Sequence, residues 1–527
     1  MTRTTLIDNR PEIKGAKLIV GYLGIFLMLI GLITLLPLIM LIFYPQEWMD
    51  MWSFIIPGLS SLFAGGILTL LFKGRKKGRL HRKQGIMLVV GIWVLAILIT
   101  AIPYSIGRSN VFLNYAQSIF ETTSGFATTC LTMVSSPETL GHVFLFHRSL
   151  TVFFGGVGLV LVLTSAISDQ FGLSLYYAEG HSDQFLPNLV KSARFIMGFY
   201  SLYVLLGTIA YVLFGMEPFD ALNHSICAVG TGGFSTKANS IGYYSDPTII
   251  NMFGIPSNGL AIEIISMILM LLGATNFLVP LYICQRKIKQ AFNNYEFKLL
   301  IIEIVIFLPV VIALTFNNFS VATLKLEGID AFLHSVRLST FHFISAATTT
   351  GYSTISITSP ALGGVNTYYS SAILLIFVIS MLIGGNTNST AGGMKQSRIG
   401  LFFISIYWTI RDFLSRPNTI RSNYVTKYNE KVAIDDKEIK ANNIYIGVYL
   451  SLVIVCTLIF CCFGYSLMDS LFEVSTAISS AGLSVGIVNN LMNPFLMWIE
   501  IILMFLGRLE IYIVFIFIAK LFDFKDR

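Results

Sequence analysis

Long uncharged apolar stretches alternate with polar connections along almost the whole chain. Eight stretches are long enough to cross a hydrocarbon core, which takes about 20 residues. They cover residues 18–44, 52–72, 84–107, 149–168, 195–216, 264–285, 304–324 and 441–468. Two more are interrupted, because 366–410 has glycines in its middle and 495–519 contains charged residues. The pattern predicts ten membrane-spanning helices, and the first lacks a cleavage site, so it is predicted to be a span and not a signal peptide.

The composition is that of an integral membrane protein. The 527 residues are 55% hydrophobic and only 12% charged, whereas soluble domains have about 25% charged residues. This excludes most soluble enzymes, nucleic-acid-binding proteins and disulfide-stabilised secreted domains. The sequence contains no HExxH motif, no nucleophile with a nearby His and Asp, and no paired intramembrane carboxylates, so the chain is predicted not to be an enzyme.

Basic residues are concentrated on one side of the predicted membrane. The connections on the N-terminal side hold 27 of the 35 Lys and Arg residues, and the opposite connections hold five. Because Lys and Arg are enriched on the cytoplasmic side, both termini are predicted to be cytoplasmic, in a multi-pass protein of the plasma membrane. The basic cluster at 73–83 is interpreted as an anchor for membrane lipid headgroups, with no nucleic acid expected as a partner. The outer segments have a net charge of −7, which attracts cations.

Four of the outer connections repeat one short pattern, at 118–133, 223–236, 339–354 and 470–485. Aligned without gaps, they place Cys130, Gly233, Gly351 and Gly482 in one column. Each lies between two spans, so spans three to ten form four units of span, short helix, loop and span. The predicted fold is an all-α polytopic membrane protein with a pseudo-fourfold pore. Its predicted parts are 1–83 with two extra spans, and repeats at 84–168, 195–285, 299–410 and 441–522.

Loops of small and hydroxyl residues at membrane depth indicate an ion pathway. Non-helical backbone is tolerated there only where it lines water or is buried in protein. A short helix entering from outside points its negative C-terminal end at the loop, and four rings of carbonyl oxygens can replace the hydration shell of an alkali cation. Asp220 and Asp469 are predicted to cap two of the short helices. The candidate cation-binding residues are Thr128, Thr129, Cys130, Gly230, Thr231, Gly232, Gly233, Thr348, Thr349, Thr350, Gly351, Ser479, Ser480, Ala481 and Gly482.

Two polar interruptions of the spans are candidate gating elements. Glycines at 384–393 break span eight, and the freed backbone groups need water or protein partners, so this segment is predicted to face the pathway. It lacks the GK[ST] ending and the flanking strand of a phosphate-binding loop. Arg508 lies inside span ten without a carboxylate at helical spacing, so its partner is predicted on another span or in water. A purely structural bridge between helices is the alternative. The predicted gate consists of Gly384, Gly385, Asn386, Ser389, Thr390, Gly392, Gly393, Lys395 and Arg508.

These motifs resemble those of the membrane subunits of the Trk, Ktr and HKT potassium-uptake superfamily, and the Trk branch most closely because of the two extra N-terminal spans. The resemblance rests on the loops SGFATTC, TGGFST, TTTGYST and AGLSVG, on GGNTNSTAGGMKQSR at 384–398 and on GRLEIY at 507–512. It implies a K⁺ filter built from four loops, an intramembrane loop that closes the pore below it, and an arginine beside that loop, which corresponds to Arg508. It also implies a homodimer on a separate cytosolic ring of nucleotide-binding regulatory domains.

Cys130 departs from the family pattern, in which the column residue is glycine or, in the first repeat of some members, serine. A Cβ disfavours the positive φ that glycine allows, and a serine there implies a pore that admits more Na⁺. A sodium or mixed sodium and potassium transporter is therefore the alternative within the superfamily. A secondary transporter of an organic solute is the alternative from another class, although the parallel fourfold repeat argues against it. His224, His334 and His342 are interpreted as hydrogen-bonded structural residues, and a role in the pH response is the alternative.

Overall fold

The computed structural model describes residues 12–13, 16–72, 76–77, 82–107, 113–159, 189–322, 328–358, 369–415 and 422–522. Within these ranges six helices are long and apolar enough to cross a membrane, or up to eight if each of two bent helix pairs is one span. Many Leu, Ile, Val and Phe side chains on their outer faces are exposed, as an apolar surrounding requires. The chain is therefore a multi-pass, mainly helical membrane protein. The end of span four, at 160–168, and most of the basic cluster at 73–83 lie outside the described residues.

The long apolar stretches form helices because a helix satisfies every backbone N–H and C=O within the segment, where lipid offers no partner. The helices that begin the chain and form the first two repeats are α1 (Ala16–Leu35), α2 (Met51–Leu71), α3 (Arg82–Ile106), α4 (Tyr115–Phe126), α5 (His142–Val157), α6 (Leu189–Leu213), α7 (Pro218–Val229), α8 (Gly259–Ala274), α9 (Leu278–Cys284) and α10 (Ile288–Phe292). The later helices are α11 (Tyr295–Ala322), α12 (Gly328–Ala347), α13 (Ser371–Ile383), α14 (Gln396–Phe413), α15 (Asp436–Cys462), α16 (Leu467–Ser479), α17 (Pro494–Leu509) and α18 (Ile511–Phe522).

The second long helix of each repeat is interrupted or ends near the C-terminal end of the short helix. A 100° bend separates α8 from α9, and a 106° bend separates α17 from α18. The stretch 366–410 is divided into α13 and α14, as its glycines predicted. Helix α5 ends at Val157, and Gly158 follows with φ of 100°. The prediction that 264–285 is one uninterrupted span is wrong, because the chain turns sharply after Ala274.

The short helices begin at residues other than the two predicted caps. Ser466 caps α16 by accepting a hydrogen bond from the Asp469 N–H. Asp469 itself lies in the first turn, where its charge faces the positive end of the helix dipole. Asp220 lies in the first turn of α7, behind Glu217 at the N-cap and Pro218, which favours the first helical position. The predictions that Asp220 and Asp469 are N-caps are therefore wrong.

The two extra N-terminal helices pack against each other through glycines. A Cβ at Gly31 would lie 2.7 Å from the carbonyl oxygen of Gly58, so only glycine permits this approach. The Ser61 hydroxyl donates a hydrogen bond of 2.8 Å to the Leu27 carbonyl across the same contact. Close backbone approach through small residues is the usual way in which helices associate in lipid. Both helices pack against α3, so they flank the first repeat.

Short strands are the exception to the all-α prediction in the described ranges. Strand β1 (Glu12–Ile13) pairs with β2 (Lys76–Lys77) in parallel. Strands β3 (Tyr424–Lys427) and β4 (Glu430–Ala433) form an antiparallel hairpin between α14 and α15. Tyr428 and Asn429 connect them with φ of 49° and 70°, the positive values that a tight hairpin turn needs.

Candidate functional site

The four predicted filter loops share the same backbone geometry in the two residues before the column. In each repeat, the residue before the column donates its N–H to the carbonyl five residues earlier, at 2.8 to 3.0 Å. The donors are Thr129, Gly232, Thr350 and Ala481. The residue before each donor has a positive φ of 49° to 57°. These residues are Thr128, Thr231, Thr349 and Ser480. Threonine rarely adopts positive φ, so this strained geometry at equivalent places identifies one repeated structural element.

The loops contact one another in cyclic order. A Cβ built at Gly233 would lie 2.8 Å from the Thr350 carbonyl oxygen of the next repeat. A Cβ at Gly351 would collide with the Ala481 carbonyl, and one at Gly482 would collide with the Thr129 carbonyl of the first repeat. The column glycines therefore permit loops two, three and four each to approach the carbonyl oxygens of the next loop. These three contacts join the loops in the order two, three, four, one.

Cys130 completes the ring in a different way. Its φ is 62°, a positive value that a Cβ disfavours, whereas Gly233 in the same column does not have a positive φ. The Cys130 side chain is buried in an apolar cluster with Val152 and Tyr352. Its Sγ lies 2.8 Å from the point where a Cβ on Gly232 would be. The missing side chain of Gly232 thus makes room for the thiol between repeats one and two.

Several buried oxygen atoms of the ring lack partners. The hydroxyl oxygens of Thr128, Thr129 and Ser480 are buried without a hydrogen-bond partner in the part of the chain that the structure describes. An unpaired buried hydroxyl costs about 1–3 kcal/mol unless a ligand or water satisfies it. Oxygen atoms from hydroxyl and carbonyl groups are the ligands that hard cations prefer. The ring therefore has the donor set that an alkali cation requires.

A set of buried polar side chains behind the ring was missed in the sequence. The residue nine positions before the column is Glu121, His224, His342 or Glu473 in repeats one to four. Each of these side chains contacts the chain two or three residues after the column. Glu121 accepts a hydrogen bond of 2.9 Å from the Met133 N–H, and Glu473 accepts one of 3.1 Å from the Val485 N–H. The signal was present in the aligned repeats as a polar column within otherwise apolar helices.

The two histidines of this column confirm the structural interpretation. The His224 Nδ1–H donates to the Asp220 carbonyl at 2.8 Å, and its Nε2 accepts from the Ser235 hydroxyl at 2.9 Å. The His342 Nδ1–H donates to the Leu338 carbonyl at 3.0 Å, and its Nε2 accepts from the Thr354 N–H at 3.3 Å. Both rings are fully buried, with each nitrogen engaged.

The segment between α13 and α14 lies directly below the ring. The Thr390 hydroxyl donates to the Val229 carbonyl at the end of α7, at 3.0 Å. The Gly392 N–H donates to the Thr349 hydroxyl of the third loop, at 2.7 Å. A Cβ at Gly392 would collide with the Ser479 carbonyl at the end of α16. The segment 384–395 therefore contacts the C-terminal ends of two short helices and the loop after a third.

Arg508 connects this segment to the end of α5 in the first repeat. The sequence predicted its partner on another span or in water, and the partners lie on other segments of the chain. Its Nη1 donates to the Thr390 carbonyl at 2.8 Å. Its Nη2 donates to the carbonyls of Gly155 and Gly156 at the end of α5, the latter at 3.1 Å. The guanidinium therefore bridges the first repeat and the segment below the ring.

A cavity of about 230 Å³ lies beside this bridge. Lys395, Arg508, Asn388 and Glu510 are among its lining residues. The Lys395 ammonium donates to the Ala391 carbonyl within the broken segment. Glu510, for which no partner was predicted, forms an ion pair of 2.6 Å with Arg398 at the start of α14. The space beneath the predicted filter is thus lined by three basic residues, Lys395, Arg398 and Arg508, and by one acidic residue, Glu510.

Comparison with known proteins agrees with this architecture. Residues 54–525 match the family model TrkH, described as a cation transport protein. The chain is 28% identical to the Trk system potassium uptake protein TrkG of Escherichia coli, over 95% of this chain and 97% of that protein. It is 27% identical to an uncharacterized cation transporter of Methanocaldococcus jannaschii, over 98% of this chain and 97% of that one. The crystal structure of the potassium transporter TrkH from Vibrio parahaemolyticus has the same fold, with a TM-score of 0.78 at 23% identity, covering 95% of this chain and 98% of that chain.

Proposed function

The chain belongs to the TrkH family of cation transport proteins, and on that premise we propose that it is the membrane subunit of a potassium-uptake system. The choice of K⁺ is supported by similarity to Trk system potassium uptake proteins of Escherichia coli. The observation that carries the proposal is the ring in which each column residue lies against the next repeat. A closed ring of oxygen-rich loops at membrane depth is what dehydration of an alkali cation needs.

In the proposed filter, K⁺ is bound by oxygen atoms of 128–130, 230–233, 348–351 and 479–482. The support is the common strained backbone of these loops and the unpaired hydroxyls of Thr128, Thr129 and Ser480. The short helices α4, α7, α12 and α16 end at the loops, so their dipoles favour positive charge there. The proposed repeats keep the bounds 84–168, 195–285, 299–410 and 441–522.

The segment 384–395 is the proposed gate. Its hydrogen bonds to α7, to the third loop and to Arg508 support a closed position, because each would have to break before the segment could move aside. Arg508 adds a fixed positive charge on the proposed path of a cation, which raises the energy of an ion there, and Lys395 lines the same cavity. The proposed gate includes Gly384, Gly385, Asn386 and Ser389.

We further propose a homodimer that is regulated by a separate cytosolic ring of nucleotide-binding domains, with both chain termini in the cytoplasm. The support for the orientation is the placement of 27 of the 35 basic residues on that side. The support for the regulator is the Trk system of the relatives, whose potassium uptake proteins this chain resembles.

A sodium or mixed sodium and potassium pathway is the second candidate function. The observation that favours it is Cys130, which stands where the other repeats have glycine and fills the junction between loops one and two. A side chain in this junction changes how closely two quarters of the ring approach. Ring geometry determines how well carbonyl oxygens replace the hydration shell of each ion.

Rubidium uptake by Gly351→Asp tests the proposal. The new side chain would collide with the Ala481 carbonyl and bring a carboxylate into the ring, so we expect uptake to be lost while membrane insertion persists. The assay uses a host deficient in potassium uptake and compares rubidium, sodium and lithium.

Gly254→Asp is the matched control, because Gly254 has a similar φ of 77° but nothing within 4 Å of its built Cβ. This variant should transport normally. Normal rubidium uptake by a correctly inserted Gly351→Asp protein would exclude this loop from the filter.

A further inference from the structure

A carboxyl group without a partner is buried in the fourth repeat. Glu500 of α17 is 0% exposed. Neither of its carboxyl oxygens has a hydrogen-bond partner among the described residues. The adjacent helix α16, which packs against α17, carries a second fully buried carboxyl, that of Glu473, close enough to act on it electrostatically. Two buried carboxyl groups that interact with each other cannot both be ionised without a large energetic cost.

Glu473 has the partners that an ionised carboxylate needs. It accepts hydrogen bonds from the Ser484 hydroxyl at 2.6 Å and from the N–H groups of Val485 and Val488 at 3.1 and 3.2 Å. Donors of this kind stabilise the charged form of a carboxylate. Glu500 has no such donor in the described part of the chain. This difference in hydrogen-bond donors assigns the negative charge to Glu473 and the neutral form to Glu500.

The first repeat has a cation in the corresponding place. Gly155 and Gly507 are equivalent, since a Cβ on either would collide with the carbonyl four residues before the column. Arg148 and Glu500 each stand seven residues before that glycine. In the first repeat the Arg148 Nε lies 2.9 Å from the carboxylate of Glu121, the counterpart of Glu473. The fourth repeat thus keeps the carboxylate and lacks the guanidinium.

The helices packed against α17 supply no substitute cation. They are α4, α16 and α18. Their titratable residues in the described range are Tyr115, Glu121, Asp469, Glu473, Tyr512 and Lys520. Glu121 is engaged by Arg148, and Arg508 on α17 itself binds backbone carbonyls below the ring. Lys520 lies near the end of α18, beyond the 106° bend that separates it from α17.

We propose that Glu473 and Glu500 form a proton-binding site that holds one proton at neutral pH, on the Glu500 carboxyl. The proton joins the Glu500 carboxylate to give a neutral acid, which removes the repulsion that Arg148 removes in the first repeat. Glu473 accepts a hydrogen bond from the chain three residues after Gly482. The charge state of this site therefore acts on the fourth loop of the proposed filter. The inference concerns a resident proton and does not depend on which ion the ring conducts.

Infrared difference spectroscopy of the purified full-length protein tests the site directly. The spectrum of wild type minus that of Glu500→Gln at pH 7 should contain the carbonyl stretch of one protonated carboxyl group. Glu263→Gln is the matched control, because the Glu263 carboxylate is equally buried but is held by Arg337 at 2.7 Å. The spectrum of wild type minus that of Glu263→Gln should not contain this band. Absence of the band in the wild-type minus Glu500→Gln spectrum would overturn the proposal.

The pH dependence of unfolding gives a second, independent measurement. The side chain of a glutamate in the unfolded chain has a pKa of about 4.3. Above that pH, the folded protein therefore binds one proton more than the unfolded protein. Stability should therefore fall as pH rises, by about tenfold in the folding equilibrium constant per pH unit relative to Glu500→Gln. Equal pH dependence in the two proteins would contradict the proposal. So would stabilisation of wild type alone by added Na⁺, which would make the site a metal site.

Discussion

Repeats one and four have the same backbone behind the filter but opposite side-chain chemistry. In repeat one, Glu121 is paired with Arg148, which also donates to the Ser235 carbonyl at 3.3 Å and lies 4.0 Å from the centre of the Phe234 ring. The pair therefore connects repeat one to repeat two. In repeat four, Glu473 accepts hydrogen bonds from a hydroxyl and N–H groups of its own loop, as Glu121 does from Thr132 and Met133, but no cation lies beside it in the described part of the chain. The comparison shows that these two repeats share their backbone and their loop hydrogen bonds and differ in the guanidinium, which repeat one has and repeat four lacks.

Replacement of the ionisable side chain on α5 or of its counterpart on α17 should have the largest and most divergent effects. Arg148→Leu leaves Glu121 buried without its cation, and we expect a loss of about 3–5 kcal/mol in the free energy of unfolding. Glu500→Leu at the equivalent place removes an unpartnered carboxyl, so we expect no loss, or a gain of about 1–3 kcal/mol. Unfolding of both purified variants by a denaturing detergent measures the difference. Similar losses in the free energy of unfolding of the two variants would show that the side chains of α5 and α17 stabilise the two repeats in the same way.

The fold of the repeats could be predicted from the sequence because the same pattern occurs four times along the chain. Loops at 118–133 and 470–485 align without gaps, and small residues at membrane depth allow few structures. The break at Gly384 was also predictable, since glycines in an apolar stretch interrupt a helix. The bend after Ala274 was not, because no charge or proline marks it and its cause is tertiary. Its freed backbone accepts hydrogen bonds from Asn386 and Thr390, far away in sequence.

The sequence predicted that the four loops come together, but not the side chains that support them. Glu121 and Glu473 contribute to the negative charge of the outer segments, and their position behind the ring depends on contacts with Met133 and Val485 that the sequence does not show. The partner of Arg508 was expected on another span, yet its identity as the carbonyls of Thr390 and Gly156 could not be read from side-chain types. Backbone acceptors leave no signal in a sequence. Contacts of this kind need coordinates.

Arg508 is where repeats one and four meet, and its loss should have an intermediate effect. Arg508→Ala removes hydrogen bonds that hold Thr390 and the end of α5 together. A hydrogen bond to a charged group contributes about 1.5–3 kcal/mol, so the fraction of open channels should rise about tenfold or more. Rubidium efflux from proteoliposomes without a regulator measures this. Arg508→Lys keeps the charge but cannot make the forked contact. If the lysine variant stays closed, fixed charge and not the bridge holds the gate.

The smallest expected effect is at the filter column, where repeat one has Cys130 and repeat four has Gly482. A Cβ on Gly482 would collide with the Thr129 carbonyl, whereas the Cys130 side chain fits because its neighbour is Gly232. The thiol therefore acts as a spacer between loops one and two. Its influence on the ring is indirect, through the distance between two loops, since the side chain is buried among apolar residues.

Removal of this spacer should change ion preference slightly. Cys130→Gly lets loop one approach loop two as closely as each other loop approaches its neighbour. We therefore expect the potassium over sodium permeability ratio to rise by less than fivefold, which corresponds to about 1 kcal/mol. Cys130→Ser keeps the Cβ and a similar volume, so its ratio should stay near the native value. Gly232→Ala in the Cys130→Gly background refills the junction from the opposite side and should return the ratio toward native. The three variants and wild type are compared by relative flux of the two ions in proteoliposomes. An unchanged ratio in a well-expressed Cys130→Gly protein would show that the thiol only packs the core and that selectivity is set by the other three loops.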